Sequence, residues 1–168
     1  ILFLGGDFMR KGGPLLLEAF RGGLSAQADL HIITQSEVPP GPAVFVHRGV
    51  QAGSAAWHER WHQADVFVFP SALETFGIVL LEALAFHVPV VSSRAGAACD
   101  ILEDGRNGIL LHRVSPEAIS AGIESVLTHP DAARERALRG RARVERDFDL
   151  AGNTARLADL IRAVIPAA

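Results

Sequence analysis

The sequence predicts an α/β fold, a Rossmann-like doubly wound parallel sheet of about six strands with helices on both faces. Three observations carry this expectation. Short apolar or β-branched runs alternate with amphipathic segments about five times along the chain, as strand and helix units do. Most of the runs lack polar alternation, the pattern of strands covered on both faces. No repeat, low-complexity tract or Pro/Gly/Ser-rich linker divides the 168 residues, so residues 1–168 read as one domain, large enough to bury roughly two thirds of its unfolded surface.

The strand candidates are residues 1–5, 30–34, 43–47, 65–70, 89–93 and 108–111. Gly12-Gly13-Pro14 leads into LLLEAF, with proline at the first turn of a helix, and a second helix over 55–63 precedes the run DVFVFP. Residues 77–86 form a third, apolar at every position but Glu82, which predicts burial on all sides and leaves a carboxylate in need of a partner. Ser115-Pro116 opens a helix striped by Ile119, Ile123, Val126 and Leu127 and ended by His129-Pro130. Asp131 is read as the cap of an Arg/Glu-rich helix, and Asp149 as the cap of a last one striped by Leu157, Leu160, Ile161 and Val164. Crossovers between parallel strands are right-handed, and such sheets bind ligands beyond the carboxyl ends of their strands. The loops after Gly5 and Pro70 are therefore the places to seek chemistry.

Composition narrows the classes. Hydrophobic residues make up 49% and charged residues 21%, as in ordinary globular proteins. No apolar run approaches the ~20 residues of a membrane span and no secretory leader is visible, so a cytoplasmic location is expected. The single cysteine, Cys99, excludes an internal disulfide, and a net charge of -3 gives no general attraction to nucleic acid. Lys11 is the one lysine among sixteen Lys and Arg residues, which marks it as a position for a compact point charge. The chain opens at Ile1 inside a strand-like run without methionine, which suggests a piece of a longer protein.

The first loop reads GGDFMRKGG, residues 5–13. Glycines on both sides of Arg10-Lys11 allow close backbone approach, and the following helix offers unpaired N–H groups, so the loop is a candidate phosphate site. It matches neither the dinucleotide fingerprint nor the P-loop, and a tight turn bearing two solvated cations is the alternative. In the second loop Ser71 and Glu74 have the spacing of a capping box, and Thr75-Phe76-Gly77-Ile78 would place free amides at a helix start. Glu74 lies ahead of those amides and Glu82 about five residues beyond them. A ligand with hydroxyls at both ends and a diphosphate between would suit both acids, and an internal pair of Glu82 with Arg94 is the alternative.

These residues resemble the C-terminal, donor-binding domain of the retaining GT-B glycosyltransferases, the "glycosyltransferases group 1" family that includes mannosyltransferases and glycogen synthases. The resemblance covers nearly the whole chain, in GGDFMRKGGPLLLEAF, ADVFVFPSALETFGIVLLEALAFHVPVV, SSRAGAACDILEDGRNGILL and SPEAISAGIESVLTHP. It implies a nucleotide diphosphate sugar as donor substrate, no cofactor, no donor metal, and an N-terminal acceptor domain as partner. By the same resemblance Glu74 would bind hydroxyls of the transferred sugar and Glu82 the ribose, while Phe76, Gly77 and Ile78 would offer amides and Lys11 would neutralise the diphosphate. The segment Arg48, Gly49 and Val50 resembles the one whose backbone meets the base. The family's usual arginine five residues before the loop lysine is Gly6 here, which leaves Arg10 to take over that role. The frequent E-G-F-G is E-T-F-G through Thr75, and the later G-G-x-x-E appears as Gly96-Ala97-Ala98-Cys99-Asp100. A sugar-nucleotide epimerase of the same fold, or a non-catalytic nucleotide-binding module, are the alternatives; a nicotinamide module would use Asp29 as its ribose acid but lacks the glycine fingerprint.

Three other patterns compete. His58-Glu59-Arg60-Trp61-His62 matches the H-E-x-x-H of zinc peptidases, with Glu82 twenty residues on, but a strand intervenes and Trp57 and Trp61 read as core. Asp147-Phe148-Asp149 resembles a metal-holding D-x-D but lies where an N-cap is expected. The six arginines from Arg134 to Arg146 are a candidate contact for an anionic membrane surface, interrupted by Glu135 and Glu145 as on a solvated helix face.

Overall fold

The computed structural model describes residues 1–165; the last three residues of the expected 1–168 domain lie outside the described residues. Six strands, β1 (Leu2–Leu4), β2 (Leu30–Ile33), β3 (Val44–His47), β4 (Phe67–Phe69), β5 (Val90–Ser92) and β6 (Ile109–Leu110), form one all-parallel sheet. Its order is β3-β2-β1-β4-β5-β6. The strand order reverses between β1 and β4, which pair through Leu2 and Phe67, and a doubly wound sheet opens its ligand crevice at that point. The strands are shorter than the apolar runs because the chain turns into loops at their carboxyl ends, although Gly5 N–H still donates to Ile33 O at 3.0 Å and Ser93 N–H to Phe69 O at 2.9 Å.

The helices are α1 (Gly13–Arg21), α2 (Ala55–His62), α3 (Ile78–Ala85), α4 (Ala98–Ile101), α5 (Pro116–Thr128), α6 (Pro130–Asp147) and α7 (Leu150–Val164). Alternation along each strand divides the core in two. Phe3, Val68 and Val91 face one side with Leu16 and Phe20 of α1 and Ile119 and Ile123 of α5. Leu2, Phe67, Phe69 and Val90 face the other with Trp57 and Trp61 of α2 and Leu80 and Leu84 of α3. α6 crosses α3 at Gly140, where a Cβ would stand 2.4 Å from Leu84 Cδ2.

The structure corrects the expectations for α3 and α6 and adds what the sequence left open for β3 and α7. α3 is not buried on all sides: Leu80, Ala83 and Leu84 are, but Ile78 is 65% exposed, because the first turn of the helix projects past the carboxyl edge of the sheet. β3 is an edge strand, so Phe45 is open to solvent. α6 starts at Pro130 behind His129 with no side-chain cap, which puts Asp131 in its first turn. α7 forms with Asp149 accepting from Gly152 N–H at 2.6 Å, yet its stripe of Leu157, Leu160, Ile161 and Val164 remains exposed among the described residues. The cap at Ser115 forms as read, its hydroxyl oxygen accepting from Ala118 N–H at 3.3 Å.

The two central loops meet at Gly12. Its φ of 77° is left-handed, and a Cβ there would lie 2.1 Å from the Pro70 carbonyl oxygen. Gly12→Ala therefore both strains the backbone and collides, and should destabilise the fold by about 2 to 3 kcal/mol. Gly6, where a Cβ meets nothing within 4 Å, provides the control: Gly6→Ala should change urea-denaturation stability by less than about 0.5 kcal/mol.

Candidate functional site

The loops after β1 and β4 leave the sheet side by side, and local packing makes the first one rigid. Phe8 is 2% exposed, its ring edge-on to Phe3 and filling the space that a side chain at Gly13 would need. Its N–H donates to Ser36 Oγ at 3.1 Å, and Lys11 N–H donates to Asp7 O at 3.0 Å. The stem of Lys11 then crosses Gly5, where a Cβ would come within 3.1 Å of it, and its ammonium lies 5.8 Å from the Phe69 ring centroid. Glycine at position 5 leaves that path free of a tight contact.

The second loop is held from the third. Ser93 Oγ donates to Ser71 O at 2.6 Å, Ala97 N–H donates to Phe76 O at 3.2 Å, and a Cβ on Gly96 would press on the Glu74 backbone at 3.1 Å. Ser71 and Glu74 do not form the capping box that their spacing allows: Ser71 Oγ donates to Leu73 O at 2.8 Å and Glu74 turns away to Lys11. α3 begins behind Gly77 with φ 99°, without a side-chain cap and without an acid in its first turn. Its leading N–H groups are thus offered to whatever lies in front of them.

A cleft of about 280 Å³ opens between the loops, lined by Leu4, Gly5, Gly6, Lys11, Phe69, Glu74, Thr75, Phe76, Gly77, Ile78 and Val79. At its floor Lys11 Nζ contacts Glu74 Oε2 in an ion pair whose side chains are each 14% exposed. Glu74 Oε1 accepts from Thr75 N–H at 2.8 Å and from Thr75 Oγ1 at 3.3 Å. The Lys11 hydrogen bond, more than any other contact, holds the Glu74 carboxyl below its ordinary value, so the group is ionised at neutral pH. The site therefore presents one cation, one anion, a hydroxyl and a helix N-terminus to the same small space.

Glu82 follows Ile78 and Val79 at i+4 and i+3, on the face of α3 that those two residues turn to the cleft, although it is not itself among the lining residues. It is half-buried and makes no ion pair among the described residues; burial alone pushes its carboxyl above the ordinary value. Arg94, the alternative partner, instead lies 3.9 Å from Asp104 and donates to Cys99 Sγ at 3.5 Å. The remaining sequence candidates lie apart from this cleft. Arg10 pairs with Asp7 at 3.5 Å, Arg48 donates to Gln35 O at 3.0 Å, Gly49 is exposed in a left-handed conformation at φ 69°, and Val50 packs against the α2 side of the core. Leu4 lines the cleft although no sequence motif contained it, Gly5, Phe69 and Val79 line it from within the quoted motifs without having been assigned a role, and the clamp from Ser93 and Gly96 had only the G-G-x-x-E resemblance as its signal.

The competing patterns resolve into structure. His58 and His62 are exposed and flank the Phe86 ring, while Trp57 and Trp61 are buried, and no group of three candidate metal ligands occurs among the described residues. Asp147 pairs with Arg146 at 2.8 Å and Asp149 caps α7. Four of the six α6 arginines engage acids: Arg139 with Glu135, Arg141 with Glu145, Arg143 with Glu103 and Arg146 with Asp147. No helix among the described residues is long and apolar enough to cross a membrane. A larger hollow of about 650 Å³ between Asp65, His87, Arg134 and Leu138 sits at the opposite, amino edge of the strands and receives none of the loops described above.

An all-parallel sheet in this order, with a loop lysine and an uncapped helix at its switch point, is the Rossmann-like arrangement of nucleotide-binding α/β domains, the halves of a GT-B fold among them. Residues 44–143, more than half of the chain, match the family model described as glycosyl transferases group 1, and the chain belongs to that family. It is 39% identical over 88 residues to the glycogen synthase of Mycobacterium tuberculosis, covering 52% of this chain and 21% of that protein. It is 33% identical over 162 residues to the phosphatidyl-myo-inositol mannosyltransferase of Mycobacterium leprae, covering 89% of this chain and 42% of the relative. Among solved structures, Anabaena HepE in complex with UDP-glucose superposes with a TM-score of 0.81 at 19% identity over 97% of this chain and 48% of that one. The chain thus spans less than half the length of these proteins.

The Glu82 carboxyl carries a testable sign. Its folded value is raised, so the folded state holds the proton to higher pH than the unfolded chain, and ionisation works against the fold. The stability gained by Glu82→Gln should accordingly be near zero below the ordinary glutamate value of about 4.3 and grow as pH rises through the folded value. Denaturant titrations of both proteins from acid to neutral pH measure it; a constant difference across that range would show that Glu82 is not desolvated.

Proposed function

We propose that this chain is the donor-binding domain of a glycosyltransferase that takes a nucleotide diphosphate sugar and transfers the glycosyl group with retention and without a metal. The observation that carries the reading is the meeting of Lys11, Glu74 and the free N-terminus of α3 in one cleft at the switch point. A diphosphate placed before α3 would receive the N–H groups of Gly77 and Ile78 and the Lys11 charge, which together stabilise the leaving group as its negative charge develops. Glu74 would accept from the sugar. Glu82, half-buried on the next turn and without an ion-pair partner among the described residues, would accept from the ribose hydroxyls, which supply hydrogen bonds that burial takes from it. The backbone of Arg48, Gly49 and Val50 would border the base, and Arg10 would turn from Asp7 toward the phosphates. Acceptor recognition falls to a second, N-terminal domain, in keeping with the 48% of HepE that the chain covers.

Gly6 lines the cleft, has no left-handed backbone and faces open space, so it can carry a side chain. The arginine that the family usually has there would add a second cation.

Calorimetric titration with UDP, GDP and ADP tests the reading. Lys11→Ala and Glu82→Ala should each weaken the preferred nucleotide by about tenfold or more, the worth of a charge-assisted contact. Affinities equal to the unsubstituted protein in both variants would remove the site assignment, and turnover of the donor to its epimer without acceptor would favour an epimerase. In the same assay Gly6→Arg should tighten the diphosphate by about three- to tenfold, less so as salt is raised.

A further inference from the structure

We propose that Thr75 sets the sugar selectivity of this cleft by occupying half of the Glu74 carboxylate, so that Glu74 reads one sugar hydroxyl strongly and the neighbouring hydroxyl is left to the weaker, neutral Thr75 oxygen. The inference rests on the donor-binding reading above and specifies the class of sugar it accepts. An ionised carboxylate has about four acceptor sites, two on each oxygen. Thr75 fills both of those on Oε1, with its N–H at 2.8 Å and its Oγ1 at 3.3 Å. Lys11 takes one on Oε2, and it need not let go to meet a diphosphate, because an ammonium has three donors. One site remains, on Oε2.

The threonine hydroxyl has spent its only hydrogen on Oε1, so toward the cleft it offers a neutral acceptor. A hexose with two adjacent hydroxyls would donate one to Glu74 Oε2 and the other to Thr75 Oγ1. A charge-assisted hydrogen bond is roughly twice as strong as a neutral one, so the two hydroxyls are read unequally. A glutamate followed by a residue without a hydroxyl would have a free site on each oxygen and would read both. The accepted donors are therefore nucleotide hexoses that share one ring hydroxyl and vary in configuration, or in presence, at the next.

A deoxy scan decides it. The chain is titrated with UDP-, GDP- and ADP-glucose and with the 2-, 3-, 4- and 6-deoxy analogues of whichever binds, in the unsubstituted protein, Thr75→Ala and Thr75→Ser. In the unsubstituted protein one deoxy position should cost about tenfold and its neighbour less than about threefold. In Thr75→Ala the neighbour should rise to about tenfold, and Thr75→Ser should restore the original pattern. Each ratio is taken within one variant, so a general loss of affinity cancels. Two neighbouring positions already costing tenfold in the unsubstituted protein, or a pattern unmoved by Thr75→Ala, would overturn the role of Thr75 while leaving the donor site standing. Failure to bind any of these donors would remove both.

Discussion

Everything at the cleft depends on how closely the backbone of the first loop can approach the end of β4. With no Cβ at Gly12, the loop rests against the Pro70 carbonyl, and Lys11, one residue earlier, is carried over Gly5 to Glu74. A wider approach would separate the cation from the anion by more than an ion-pair distance and open the cleft floor. Two glycines on one loop and a proline on the other thus place a charge pair whose members are 63 residues apart in sequence. The sheet contributes the rest, since at the reversal of strand order the loops after two adjacent strands turn to opposite faces and leave a crevice between them.

The acid in the cleft and the acid one turn behind it are held in opposite electrostatic states by ordinary means. Glu74 has a lysine and two donors from Thr75, so its charge is satisfied inside the protein and its carboxyl is driven down. Glu82 has apolar neighbours along α3 and no ion-pair partner among the described residues, so burial drives its carboxyl up. The first arrangement is compatible with the free protein at rest, while the second costs stability whenever the group ionises. A half-buried carboxylate with no ion-pair partner among the described residues sets stability against charge, and that conflict is the reason Glu82 is proposed as a binding position.

The decoys show how context overrides pattern. H-E-x-x-H sits on an eight-residue helix whose buried face is two tryptophans, and its histidines lean on Phe86 instead of converging. D-x-D straddles the end of α6 and the cap of α7, so its acids serve an arginine and a backbone amide. An arginine-rich helix is largely neutralised by acids at its own surface and by Glu103. In each case the residue types were right for chemistry and the backbone directions were not.

The order of elements, the parallel sheet and the two loops that matter were legible in the sequence, because apolar runs, helix periodicity and glycine placement are local properties that the order of residues encodes. The family was legible too, through E-x7-E with its phenylalanine and glycine between. What the linear chain left open was partnership. Whether Glu82 meets Arg94, whether Ser71 closes a capping box, and whether Lys11 faces solvent or Glu74 are settled only when β1 and β4 lie side by side and the loop after β5 clamps the second one through Ser93 and Gly96. Exposure of Ile78 and of the α7 stripe was hidden for the same reason: periodicity says which face of a helix is apolar, but only the assembled layers say whether anything covers it.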